Sequence, residues 1–139
     1  MYTNGSTEIK STVVKSTSEV NMKIKEMAEL LDADVLCGED MLERDVKSAF
    51  ACDMMSDVLA FVKEQGVLLT GLCNPQVVRT VQMMDMICII FVRGKRPPQE
   101  VVDMAREEGI ALLATEERMY GACGKLYARG LSGGSVANV

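Results

Sequence analysis

The segment Met86-Ile87-Cys88-Ile89-Ile90-Phe91-Val92 is apolar at every position. A strand with one wet face alternates apolar and polar side chains, so unbroken apolarity over a strand's length means burial on both faces. The run is far short of the roughly 20 apolar residues that cross a bilayer as a helix. It calls instead for a central strand with helices packed above and below it.

The flanking segments carry the pattern such a strand needs. Val35-Leu36-Cys37, Val46 to Cys52, Val67-Leu68-Leu69-Thr70 and Ile110 to Ala114 read as strands. Helical spacing relates Ile24, Met27, Leu30 and Leu31, then Met54, Met55, Val58, Leu59 and Val62, then Val77, Val78, Val81 and Met84. Asn74-Pro75 reads as an N-cap followed by proline in the first turn. Pro97-Pro98 opens another helix with Val101, Val102 and Ala105 inward, and Gly109 closes it. Gly66 reads as the glycine that ends the helix before it. Thr115 is expected to cap a final helix bearing Met119, Tyr120, Cys123, Leu126 and Tyr127, with Gly130 at its end. Strand–helix units in succession predict an α/β fold: a three-layer, open, mainly parallel sheet of about five strands with helices on both faces.

The 139 residues suit one domain. Residues 1–21, rich in Ser, Thr and Asn, read as a flexible N-terminal tail. Residues 22–130 form the folded α/β body, and 131–139, opening Leu131-Ser132-Gly133-Gly134-Ser135, read as a frayed C-terminal tail.

Composition then excludes chemistry. The chain has no histidine, which removes Ser-His-Asp and Cys-His catalysis, His-ligated metals and phosphohistidine relays. The net charge of −5 and only 4% aromatic residues argue against nucleic acid as a partner, since there is neither a basic stripe nor a stacking surface. Its five cysteines form no Cys-x-x-Cys pair, so no zinc or iron–sulfur ligand set is written, and no metal or cofactor is expected. No apolar segment resembles a signal peptide or membrane span. Free thiols point to a reducing compartment, most simply the cytoplasm. Gly121-Ala122-Cys123-Gly124-Lys125-Leu126 has the look of a phosphate loop but lacks its first glycine and its Ser/Thr. Eleven methionines include the pairs Met54-Met55 and Met83-Met84, which cannot both point inward from one helix face. Part of that set is expected to meet a partner.

In an open parallel sheet, ligands bind beyond the carboxyl ends of the strands, where helix N-termini offer free N–H groups. The residues there are Asp53, Thr70, Gly71, Asn74, Arg93, Gly94, Lys95 and Thr115. Gly71 allows close backbone approach, and Arg93 or Lys95 can pair with a small anion. The same residues also serve as caps, turn formers and a solvated loop. A small enzyme pairing Asp53 with Arg93 or Lys95 for acid–base or phosphoryl chemistry is an alternative. So is a redox or cluster accessory using Cys52 and Cys73, the latter before a helix N-terminus that lowers thiol pKa.

Phe50-Ala51-Cys52-Asp53-Met54-Met55-Ser56-Asp57-Val58-Leu59-Ala60, Leu68-Leu69-Thr70-Gly71-Leu72-Cys73-Asn74-Pro75-Gln76-Val77-Val78-Arg79-Thr80 and Tyr120-Gly121-Ala122-Cys123-Gly124-Lys125-Leu126-Tyr127 together resemble the stand-alone DRTGG-domain proteins. The likeness covers about residues 22–130. The eponymous Asp-Arg-Thr-Gly-Gly string is absent, and Leu69-Thr70-Gly71 is its nearest counterpart. The resemblance implies a fold similar to the N-terminal domain of HPr kinase/phosphorylase, without the kinase active site. It implies a regulatory, dimer-forming module of the kind that accompanies CBS domains in a regulated pyrophosphatase or sits within some phosphotransacetylases. Stand-alone members lie beside iron-only hydrogenase and histidine-kinase-like genes, which implies a redox-linked signalling role. The expectation is therefore a non-catalytic homodimer that senses a small anionic metabolite or docks a signalling protein.

Overall fold

The computed structural model describes residues 21–61 and 65–134. The tail read over 1–21 lies outside them except for Asn21, as do Val62 of the second helical stripe and the end of the C-terminal tail. The chain runs through β1 (Met22–Lys23), α1 (Ile24–Leu30), β2 (Asp34–Cys37), a 3-10 turn (Glu39–Met41), β3 (Asp45–Val46), β4 (Ala49–Ala51), α2 (Met55–Phe61) and β5 (Val67–Thr70). It continues through α3 (Pro75–Met83), β6 (Cys88–Phe91), α4 (Gln99–Glu108), β7 (Ala111–Ala114) and α5 (Met119–Ala128).

Five strands form the main sheet in the order β2-β7-β6-β5-β4. From β4 to β7 all pairings are parallel, while β2 lies antiparallel on the β7 edge. The parallel strands step across the sheet in chain order. Right-handed crossovers then place α2, α3 and α4 on the same face. There Val58, Val77, Val78, Val81, Val101 and Ala105 pack with Leu68, Ile89, Phe91 and Leu112. On the opposite face Ile24, Met27 and Leu31 from α1 and its end, with Ala122 and Leu126 of α5, cover Val67, Leu69, Ile90, Val92 and Leu113. Neighbouring residues of one strand feed opposite layers, which is why the apolar run shows no alternation. The three-layer, mainly parallel α/β fold is as expected.

Local departures have physical causes. The alternating stretch Val46 to Cys52 is not one strand. Asp45–Val46 pairs with Met22–Lys23 in a separate two-stranded ribbon, and only Ala49–Ala51 joins the main sheet. Gly66 is not a left-handed helix cap; a Cβ there would lie 2.4 Å from the Ser48 carbonyl oxygen, so it marks a close backbone crossing. α5 starts at Met119 with Arg118 as N-cap, so Thr115 does not cap it. On α5 the inward residues are Ala122 and Leu126, whereas Tyr120 is 93% exposed and Tyr127 67%. Leu131, placed in the frayed tail by composition, is only 2% exposed, and the Ser132 carbonyl accepts the Ala49 N–H at 2.9 Å. The packed body thus extends past Gly130 onto the β4 edge. The methionine pairs split as their spacing requires: Met55 is buried and Met54 exposed, and Met83 is exposed while Met84 packs against the core.

Candidate functional site

Because β4 to β7 are parallel, their carboxyl ends share one rim of the sheet. Cys52-Asp53 leaves β4, Gly71 to Asn74 leaves β5, Arg93 to Arg96 follows β6, and Thr115 follows β7. Thr70 ends β5 fully buried, yet its hydroxyl is engaged on both sides. It accepts the Leu72 N–H at 3.1 Å and donates to Asp53 Oδ1 at 2.8 Å. The Gly71 N–H donates to the same carboxylate oxygen at 2.8 Å. Asp53 Oδ2 lies 3.5 Å from Arg93 Nη1.

Arg93 reaches this cluster through an unusual turn. Arg93 (φ 63°) and Gly94 (φ 70°) are both left-handed, and the Lys95 N–H donates to the Val92 carbonyl at 3.2 Å. Positive φ at both central residues is the signature of a type I′ turn. The turn is clamped from the β7–α5 connection, where the Glu117 carbonyl accepts the Arg93 N–H at 2.7 Å and the Thr115 carbonyl accepts the Gly94 N–H at 3.0 Å. The Arg93 guanidinium lies against Gly71, where a Cβ would stand 2.3 Å from Nη2 and the guanidinium would have to move aside.

Four of the eight residues singled out from sequence, Asp53, Thr70, Gly71 and Arg93, therefore meet in one hydrogen-bonded cluster. Gly94 shapes the turn that aims Arg93. Lys95 is exposed and, among the described residues, makes no ion pair; with Arg93 it supplies the positive potential felt at Cys73. Asn74 holds the N-cap position of α3 without a side-chain capping bond. Thr115 stands apart. Its buried hydroxyl donates to the Leu31 carbonyl at 2.7 Å and accepts the Glu117 N–H at 3.1 Å, tying the β7 end to α1.

The electrostatics follow from the contacts. The Gly71 N–H holds the Asp53 carboxyl below its ordinary pKa against partial desolvation, with the Thr70 hydroxyl and Arg93 acting in the same direction. A carboxylate with a lowered folded pKa stabilises the fold above its unfolded pKa, and that contribution is lost as pH falls through the lower, folded value. Asp53→Asn is therefore expected to lose stability at neutral pH but to show a shallower acid limb. Urea midpoints at neutral pH and below the ordinary aspartate pKa check this. An unchanged acid limb would remove Asp53 from the pH dependence.

Cys73 departs from expectation, since burial pushes its thiol pKa up despite the nearby Lys95 and Arg93. Cys52 Sγ accepts the Met54 N–H at 3.2 Å and lies 3.7 Å from Asp57 Oδ2. Cys123 is half-buried and lines a groove. Among the described residues no cluster of three or more potential metal ligands occurs, and no helix is long and apolar enough to cross a membrane.

The groove was not anticipated. It encloses about 400 Å³ between α5, the β4 edge and Leu131 to Gly133, with Ala51, Leu69, Tyr120, Cys123 and Tyr127 on its walls. Its sequence signal is the spacing of Tyr120, Cys123 and Tyr127, which sets them beside the Ala122–Leu126 stripe on α5.

A family model described as the DRTGG domain matches residues 26–127. Among solved structures, the chain resembles the CBS and DRTGG domains of the regulatory region of Clostridium perfringens pyrophosphatase, determined in complex with the activator diadenosine tetraphosphate. The TM-score is 0.61 at 14% identity, over 88% of this chain and 57% of that one. At that identity the likeness is one of fold. No curated protein matches.

Proposed function

The chain belongs to the DRTGG-domain family, and from that premise we propose that it is a non-catalytic regulatory module whose strand-end rim receives a small anionic metabolite. The observation that carries this reading is the Arg93 turn. A left-handed Arg93-Gly94 turn, its two N–H groups clamped by the Glu117 and Thr115 carbonyls, spends backbone freedom to project one guanidinium over Gly71, beside the Asp53 carboxylate that the Thr70 hydroxyl and Gly71 N–H also hold. Converging donors of that kind suit an oxyanion, and Lys95, which makes no ion pair among the described residues, adds charge nearby. That the related pyrophosphatase region was solved with a polyphosphate activator supports a phosphate-bearing ligand.

The enzyme alternative needed Asp53 beside a cation, and Arg93 does lie beside it. The lowered carboxyl pKa nevertheless suits an ionised binding partner better than a general acid or base, which works best near the operating pH. The raised Cys73 pKa likewise weighs against the redox alternative. Exposed Met54, Met83, Tyr120 and Tyr127 support a module that acts through contacts. We read it as a cytoplasmic homodimer that passes its state to a signalling protein, in the hydrogenase- or redox-linked setting that the family resemblance implies.

Native mass spectrometry of freshly purified protein reads stoichiometry and retained ligand together. The expected species is two chains with a bound anion, and Arg93→Gln is expected to weaken anion binding by about tenfold to a hundredfold. A bare monomer, with affinity for pyrophosphate and diadenosine tetraphosphate unchanged in Arg93→Gln, would overturn the reading.

A further inference from the structure

We propose that the Asp53 carboxylate is the resident occupant of the oxyanion cradle, and that a ligand anion enters by displacing it. This rests on the ligand reading above and adds how the site is regulated. One Asp53 oxygen takes the Thr70 hydroxyl and the Gly71 N–H, each at 2.8 Å, while the other faces Arg93 Nη1 at 3.5 Å. Those are the partners that a bound carboxylate or phosphate would take.

Two of the donors, the Thr70 hydroxyl and the Gly71 N–H, are placed independently of Asp53. The Leu72 N–H occupies a lone pair of the Thr70 hydroxyl at 3.1 Å, leaving its single proton to point toward the carboxylate. The Glu117 and Thr115 carbonyls hold the backbone turn from which Arg93 projects, while its half-exposed guanidinium pairs with the anion at hand. The Thr70 and Gly71 donors therefore stay in place when Asp53 leaves.

The occupant is built to leave. Asp53 sits in the short irregular link between β4 and α2, outside either element. Its side chain is 47% exposed and that of Arg93 41%, so the ion pair between them is water-screened and exchangeable. The carboxylate holds the cradle in competition with solvent ligands, setting a threshold concentration that an incoming anion must exceed. A structural brace would behave oppositely, because its removal would spoil the site.

The test is a ¹H–¹⁵N NMR titration of the full chain with inorganic pyrophosphate, and with malonate to separate phosphate from carboxylate ligands. Wild type, Asp53→Asn, Asp53→Ser and Arg93→Gln are compared, each first checked for a dispersed native spectrum. Removing the internal competitor is expected to tighten binding by about fivefold to tenfold, with the Gly71 and Leu72 amides moving most. Serine matters because asparagine keeps an acceptor for the Gly71 N–H. Tightening in the two Asp53 variants, or binding in them alone, supports displacement. Equal or weaker binding with the same amides moving overturns it and leaves the ligand reading intact. Failure of both anions to move the rim amides in any folded variant overturns both.

Discussion

Phe91→Ala is expected to destabilise the protein by about 3–5 kcal/mol. Phe91 is fully buried at the end of β6, the middle strand of the five, in the apolar layer that holds α2, α3 and α4 on the sheet. Truncation removes the ring's burial and leaves a void bounded by β-strand backbone, which cannot collapse without breaking ladders to β5 and β7. A domain of this size has about 5–15 kcal/mol in all, so the loss is a large fraction of it. Phe91→Leu retains most of the volume and is expected to cost about 1.5 kcal/mol. Urea denaturation should show both as lower midpoints with unchanged m-values. A Phe91→Ala loss below about 1 kcal/mol would mean the layer repacks around the gap.

Gly38→Ala is expected to cost about 3 kcal/mol, from two separable causes. Gly38 adopts φ 88°, ψ 28° between β2 and the 3-10 turn, a left-handed conformation that costs other residues about 1 kcal/mol. A Cβ there would also lie 2.6 Å from Ala111 Cα and 2.7 Å from Ala111 Cβ. Ala111 opens β7, which is bonded to strands on both sides, so the backbone has nowhere to retreat. Gly109 isolates the first cause: its φ is 72°, and nothing lies within 4 Å of its Cβ position. Gly109→Ala should therefore lose only about 1 kcal/mol. Equal losses at the two positions would show that backbone strain, not overlap with β7, governs Gly38.

The candidate site was legible in part. The rule that ligands gather past the carboxyl ends of parallel strands brought Asp53, Thr70, Gly71 and Arg93 to one rim. It could not distinguish them from Thr115, which lies past a strand end in the same way but spends its hydroxyl on the Leu31 carbonyl. That choice depends on where the end of α1 lies, and nothing near Thr115 in the chain records it. The groove was missed for a similar reason. Tyr120 and Tyr127 have helical spacing with Cys123, and spacing alone does not say which stripe of a weakly amphipathic helix turns inward. The smaller Ala122 and Leu126 win that position because α5 packs closely on Leu69 and Ile90.

Sequence alone determined the layers. The unalternated Met86–Val92 run, the helical spacings and the Asn74-Pro75 and Gly109 boundaries are local properties, because burial on one face or two imposes a period that every short segment carries in itself. Tertiary structure alone decided the antiparallel seat of β2 against β7, the split of Val46 to Cys52 between two sheets, and the docking of Leu131 and Ser132 on β4. It also decided that an aspartate leaving β4 and an arginine leaving β6 should close on the glycine between them. Pairings of this kind join segments far apart in the chain, and many partners satisfy the same local period. Only simultaneous packing of all the elements selects among them.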